Sequence, residues 1–267
     1  MDVAPQQGGT DDHAEDLADP VPPVDALPLW GETSGFLTAV DEEALLGAAV
    51  DADAVLFIDR LPGSSLIVGT PMGAARPRTE EPFSPETRAR LVRKAVKAVS
   101  TGAERTDAQD VAFGLRQLTD IIAKALSPGI NDPTTAVHAL SHSSSSALLC
   151  DLAHRDLGPR LLRDGQHQVR VVLQRPDLEN LLDLAVAQPL RYGAAEPAVL
   201  ARILMLLREL SWNTAAGQHP PIVAALARLR STTAVQDFHA ADHSRLTELA
   251  QQVEQALAGR WTHDRAH

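Results

Sequence analysis

The sequence has few of the residues that would place it in a specialised structural class. It contains one cysteine and one tyrosine among 267 residues, and only 3% of its residues are aromatic. The single Cys150 excludes an internal disulfide and is typical of a reducing compartment. With so few aromatic rings the core must be built from leucine, valine, alanine and isoleucine, which favours helices packed closely through small residues.

Long apolar runs and a basic charge balance are also lacking. No stretch approaches the ~18 apolar residues that a membrane span needs, and no basic segment followed by an apolar run marks a secretion signal. We therefore expect a soluble, cytoplasmic protein with no membrane span in this chain. The formal net charge of −11 argues against a nucleic-acid partner, because phosphate binding needs a basic face.

Composition divides the chain into three regions. Residues 1–28 hold seven acids, five prolines and no lysine or arginine, which predicts a disordered acidic tail. Residues 29–78 combine a short helix capped by Asp41 with two β-favouring runs, Ala54–Ile58 and Ser65–Val68, and are predicted to form a small mixed β/α subdomain. Residues 79–267 are predicted to form a helical domain.

The predicted fold class is mainly α, of the α+β type. It is a helical bundle-like body with a small N-terminal β element and one further strand within residues 166–173. Ser84 and Pro85 begin one helix, which Thr101-Gly102 should close, and Pro189 should end or kink another. The remaining helices are expected near residues 105–126, 133–157, 177–192, 197–211, 220–230 and 241–258.

The helix that begins at Ser84 has a basic outer face. Its cationic residues are Arg88, Arg90, Arg93, Lys94 and Lys97. Such a face can be a surface for an anionic ligand or a lipid headgroup. In an acidic protein, a solvated face that pairs with acids elsewhere is the favoured interpretation.

The most informative stretch runs from residue 105 to residue 136. Thr106-x-x-Gln109 has the types and spacing of a capping box and predicts the start of an amphipathic helix. Gly114 in that helix costs about 1 kcal/mol relative to alanine, so we expect another helix or a ligand to approach its backbone. Asp132-Pro133 predicts the start of a second helix, whose positive end suits an anion or a carboxylate.

Several polar residues of this stretch are candidate site residues. The candidates for ligand binding are Arg116, Gln117, Ser127, Asn131, Asp132, Thr134 and Thr135. Asp110 and Asp120 are candidate general bases, and His138 is a candidate for proton transfer. His138 and His142 have the spacing of metal ligands on a helix, yet the glutamate of a zinc-protease signature is missing. We therefore expect no metal and no cofactor.

Three interpretations of the stretch are open. The first is a buried polar network in which Arg116 pairs with Asp120 and Asp110 bonds a neighbouring backbone group. The second is a binding or regulatory module that recognises a small anionic molecule or a protein partner. The third is an enzyme of unknown reaction, in which Arg116 holds substrate charge beside the candidate acids and bases. The apolar C-terminal helices would also suit a homo-oligomer.

Two strings in the same stretch carry a resemblance to a known family. They are Arg105-Thr-x-x-Gln-Asp-x-x-Phe-Gly-x-Arg-Gln-Leu-x-Asp120 and Ala125-Leu-Ser-Pro-Gly-Ile-Asn-Asp-Pro-x-Thr-Ala136. With weaker similarity over roughly residues 30–210, the chain resembles the domain-of-unknown-function family 2254, a group of bacterial predicted membrane proteins. Its members carry transmembrane helices ahead of this region, where the acidic tail stands here. The resemblance thus implies a soluble version of the family's part outside the membrane, and it implies no particular reaction.

Overall fold

The structure is a computed structural model that describes residues 21–106, 110–145 and 159–261, with the side chains of 142–145 left out. The chain forms two compact units, Met1–Glu104 with Pro159–Gln174 and Arg105–Gly158 with Arg175–His267. The predicted class, α+β and mainly α, is confirmed by eight α-helices and two small sheets within the described residues.

The first unit is built on its sheets. Its strands are β1 Leu27–Trp30, β2 Gly35–Val40, β3 Ala54–Ile58, β4 Ser65–Leu66, β5 Pro71–Pro77, β6 Val99–Gly102, β7 Arg160–Arg163 and β8 Val169–Leu173. One sheet has the order β1-β5-β3-β8-β7 and the other the order β4-β2-β6. The β3–β8 pair is parallel, whereas the other pairs are antiparallel.

Two helices, α1 Glu42–Asp51 and α2 Pro85–Lys97, complete the first unit. Both begin at the caps that the sequence predicts, because Asp41 accepts a hydrogen bond from the Ala44 amide and Ser84 accepts one from the Thr87 amide. Strand β3 is buried along its whole length. Its alternate residues enter two different apolar clusters, so the central strand has a buried face on each side.

A buried arginine joins distant parts of this unit. The Arg170 guanidinium on β8 donates to Asp53, between α1 and β3, and to Asp164, in the turn between β7 and β8, both at 2.6 Å. Asp164 also accepts hydrogen bonds from the Gln166 and Gln168 amides of its own turn. Arg170 therefore holds the β7–β8 hairpin to a turn that lies more than a hundred residues earlier in the chain.

The first unit differs from the expected subdomain of residues 29–78 in three respects. Helix α2 ends at Lys97, and Thr101-Gly102 belongs to strand β6 instead of closing the helix. The β7–β8 hairpin joins the sheet of this unit, although residues 79–267 were expected to form one helical domain. Strand β1 begins inside the predicted tail, of which residues 1–20 lie outside the described residues.

The second unit is helical in its described residues. Its helices are α3 Val111–Ala125, α4 Pro133–Ser145, α5 Leu178–Tyr192, α6 Pro197–Asn213, α7 His219–Ala234 and α8 Ala240–Leu257. Helix α6 is the central element, because ten of its residues are buried and it packs against α4, α5, α7 and α8. Pro189, which was expected to end or kink its helix, does not end α5. The helix runs on to Tyr192 and closes with a hydrogen bond from the Gly193 amide to the Pro189 carbonyl.

Candidate functional site

The start of α3 is organised by a buried carboxylate. Asp110 is 3% exposed, and its Oδ1 accepts a hydrogen bond from the Phe113 amide at 2.9 Å. Its Oδ2 accepts from Nε and Nη2 of Arg105 at 2.8 and 2.6 Å, and the Arg105 guanidinium lies 5.1 Å from the centre of the Phe113 ring. Both oxygens of Asp110 are thus engaged in capping the helix and holding Arg105.

This arrangement corrects the predicted helix start. Asp110 caps α3, so the helix begins five residues after Thr106, the residue expected to cap it. Residues 107–109, which include Gln109 of the predicted capping box, lie outside the described residues. The sequence signal for this start is Arg105, which lies five residues before Asp110 in the family motif and is its ion-pair partner.

The helical periodicity predicts an apolar side of α3 that is buried only in part, and its residues are Val111, Leu115, Leu118, Ile121, Ile122 and Leu126. Leu115, Thr119 and Ile122 are buried, whereas Ile121 is 49% exposed. The Thr119 hydroxyl donates to the Leu115 carbonyl at 2.7 Å and also lies 3.2 Å from the Leu184 carbonyl on α5. A hydroxyl that finds its acceptors in the backbone can therefore take a core position in the helix, although the apolar pattern does not include Thr119.

The turn between α3 and α4 uses several of the candidate ligand-binding residues for its own structure. The Ser127 hydroxyl donates to the Lys124 carbonyl at 2.7 Å, and Asn131 has a positive φ of 49°. Asp132 accepts from the amide of Thr135 at 3.1 Å and from its hydroxyl at 2.6 Å, and these bonds lower the pKa of the Asp132 carboxyl. The carboxylate expected at the positive end of α4 is therefore supplied by the chain itself.

The other candidate residues lie on the surface. Arg116, Gln117 and Asp120 are exposed on α3, as are Asn131 in the turn and Thr134 and His138 on α4. Within the described ranges none of these side chains makes a hydrogen bond or an ion pair. The predicted pairing of Arg116 with Asp120 is therefore wrong. At that spacing on an exposed helix face, water competes with the pair and little free energy is gained.

The candidate acid–base groups are not brought together. Asp110 and Asp120 lie on one helix ten residues apart, which separates them by about 15 Å along its axis. The first is buried in an ion pair and the second is exposed. His138 is exposed on α4, and the side chain of His142 is outside the described part of the chain, as is Cys150. No cluster of three metal-ligating side chains is found among the described residues.

Gly114 does not have the close neighbour that the sequence predicts. A Cβ atom built on it would meet no atom within 4 Å in the described structure, apart from its own helix. Among the described residues no second helix packs against the Gly114 backbone, and the helix faces open space there. The alternative, that a ligand approaches this backbone, stays a prediction.

Comparison with known proteins finds the same family that the motif of the α3–α4 hairpin resembles. A family model described as "Predicted membrane protein (DUF2254)" matches residues 3–209. The chain belongs to this family. It is 34% identical over 194 residues to uncharacterized proteins of Mycobacterium bovis and Mycobacterium tuberculosis, an alignment that covers 73% of this chain and 36% of each relative. The match thus spans about a third of the length of these relatives. No solved structure matches.

The family description corrects one expectation from composition. The chain was expected to be cytoplasmic because it has a single cysteine and no recognisable leader, but a family of predicted membrane proteins conflicts with that assignment. Cysteine content reports the redox environment and says nothing about attachment to a membrane. In the part of the chain that the structure describes, no helix combines the length and the apolar character that crossing a bilayer requires.

Proposed function

We propose that this chain is a binding module that contacts a protein partner through the exposed side of the α3–α4 hairpin. We call this the hairpin surface. It consists of exposed hairpin residues whose side chains make no hydrogen bond or ion pair within the described structure: Arg116, Gln117, Asp120, Ile121, Lys124, Ile130, Asn131, Thr134 and His138. The observation that carries the proposal is the exposure of Arg116, Gln117 and Asp120, because all three belong to the family motif.

The chemistry of the hairpin surface supports a protein partner. It carries both signs of charge, from Arg116, Lys124 and Asp120, together with two apolar side chains, Ile121 at 49% and Ile130 at 51% exposure. Apolar residues among polar and charged neighbours are typical of protein interfaces. The second candidate function is recognition of a small anionic molecule, which is favoured by an Arg116 guanidinium with no acidic partner in the described residues.

Site-specific photocrosslinking in cells tests the protein partner. Ile121 and Ile130 are replaced, one at a time, by p-benzoylphenylalanine in the full chain. The matched control is Val223 on α7, which lies in the same unit and is 50% exposed. We expect a crosslinked product of the same discrete mass from positions 121 and 130 and none from position 223. Arg116→Glu in the same chain should lower the yield several-fold, because it reverses one charge of the surface.

Two results would contradict a protein partner. One is crosslinking of equal pattern and yield from all three positions, which would indicate random collisions. The other is a product that Arg116→Glu leaves unchanged. The anionic ligand is tested separately by thermal shift over a panel of anionic metabolites, since specific binding raises the unfolding temperature with ligand excess. Arg116→Ala should remove a shift produced at the hairpin surface, and Lys97→Ala, in the other unit, should leave it unchanged.

A further inference from the structure

The first unit contains a cavity that is separate from the hairpin surface. Its volume is about 300 Å³, which is the lower end of the range for small-molecule sites. The apolar part of its wall is formed by Leu66, Met72, Val96 and Val99. Leu66 and Met72 are 3% and 1% exposed and belong to the packed core behind the cavity. Val96 and Val99 are half-buried, so they offer the apolar surface that a ligand can contact.

The polar part of the wall is cationic. Arg93 and Lys97 lie four residues apart on α2, on the side of the helix that faces the cavity. Neither has a hydrogen-bonding or ionic partner in the described parts of the chain. Lys94, between them, differs because it pairs with Asp51. The sequence favoured a basic face that pairs with acids, and at Arg93 and Lys97 that pairing is not seen.

Two hydroxyl groups stand beside these cations. The Thr33 and Thr101 oxygens lie 2.7 Å apart in a hydrogen bond and both residues line the cavity. Such a bond uses the proton of only one hydroxyl, so the other proton is available to an acceptor in the cavity. Glu32 is the one acid among the lining residues, and against two cations it leaves a net charge of +1.

We propose that this cavity binds an amphipathic phosphate ester, with the phosphate between Arg93, Lys97 and the threonine hydroxyls and the apolar part against Val96 and Val99. A guanidinium and an ammonium with hydroxyl donors match a phosphate group of one to two negative charges. The ester can be a soluble metabolite or a lipid headgroup.

Calorimetric titration of the full chain tests the site. The probe is hexyl phosphate, with inorganic phosphate and hexanol as the probes that lack one half of the ligand. We expect hexyl phosphate to bind most tightly, because only it fills both parts of the cavity. The double variant Arg93→Gln, Lys97→Gln should weaken its binding by at least about tenfold, since each loses a hydrogen bond to a charged group. Glu32→Gln should tighten it, because a like charge is removed.

The control variant is Arg88→Gln, which removes one positive charge from the same helix outside the cavity wall. It should bind hexyl phosphate as the unchanged chain does. A second arm measures sedimentation with vesicles of phosphatidylcholine, with and without phosphatidylglycerol. Binding to hexyl phosphate without binding to the anionic vesicles indicates a soluble ester. Binding to the anionic vesicles, with or without binding to hexyl phosphate, indicates a lipid headgroup.

In both arms the proposal requires that binding weakens when Arg93 and Lys97 are substituted and not when Arg88 is substituted. It is overturned if neither hexyl phosphate nor the anionic vesicles bind. It is also overturned if Arg88→Gln weakens binding as much as Arg93→Gln or Lys97→Gln made alone. Arg116→Ala, in the other unit, should have no effect on hexyl phosphate, so this outcome is independent of the hairpin surface.

Discussion

At the scale of single residues, Asp110 and Asp120 show how one residue type takes opposite roles within one helix. Asp110→Ala should lower the free energy of unfolding by about 2–3 kcal/mol, because it removes the α3 cap and leaves the partly buried Arg105 without its partner. Asp110→Asn should cost less, about 1 kcal/mol, since an asparagine oxygen still accepts from the Phe113 amide. Equilibrium urea unfolding measures both values.

Asp120→Ala is the matched control, because it removes the same charge from an exposed side chain with no bonds in the described structure. It should change the free energy of unfolding by less than about 0.5 kcal/mol. Equal costs at the two positions would show that Asp110 contributes through its charge alone. The sequence could not separate the two residues, since the difference depends on where Arg105 lies and on which turn is the first of the helix.

At the scale of elements, local signals predicted the helices and missed most strands. The caps at Asp41, Ser84, Asp132 and Asp177 lie within three residues of the amide they bond, so their chemistry is visible in the sequence. Strands β2 and β6 are short and pair with each other across more than fifty residues. Their pairing depends on tertiary contacts that no local pattern contains.

Two glycines in regular elements predict opposite effects of the same substitution. Gly114→Ala should stabilise the chain by about 0.5–1 kcal/mol, because the added methyl group meets open space and alanine is the better helix former. Gly73→Ala on β5 should destabilise it by more than about 2 kcal/mol, because its Cβ would overlap the Phe57 carbonyl oxygen. Urea unfolding of the two variants should therefore give changes of opposite sign.

Gly114→Ala also bears on the proposed partner. If it stabilises the isolated chain but lowers the photocrosslinking yield from position 121, the partner approaches the α3 backbone at Gly114. Unchanged crosslinking would place the contact farther along the helix, towards Lys124. Destabilisation by Gly114→Ala would contradict the open space seen beside this residue.

At the scale of the whole molecule, the chain leaves the first unit after residue 104 and returns to it for residues 159–174. The β7–β8 hairpin completes the five-stranded sheet through the parallel β3–β8 pair. A single strand could be predicted near residues 166–173 from its alternation. Its sheet could not, because parallel pairing across more than a hundred residues leaves no local signature.

Because of Arg170, the stability of the attached β7–β8 hairpin is expected to depend on pH. Its hydrogen bonds lower the pKa values of the Asp164 and Asp53 carboxyls in the folded chain. The folded state then binds fewer protons than the unfolded chain. The resulting stability is complete above the ordinary aspartate pKa of about 4 and is lost as the pH falls through the lower, folded pKa values. Arg170→Met should therefore unfold at a lower temperature at neutral pH and lose less stability on acidification.

Thermal unfolding followed from about pH 7 to pH 2 measures this difference as the slope of melting temperature against pH. The control is Arg228→Met, which breaks an exposed pair with Asp183 in the second unit, where side-chain exposures of 48% and 53% leave the pair well screened. Its curve should run parallel to that of the unchanged chain. If Arg170→Met also gave a parallel curve, the two carboxyls would titrate independently of Arg170. The β7–β8 hairpin would then be held by its strand pairing and its apolar face alone, without a contribution from the ion pairs.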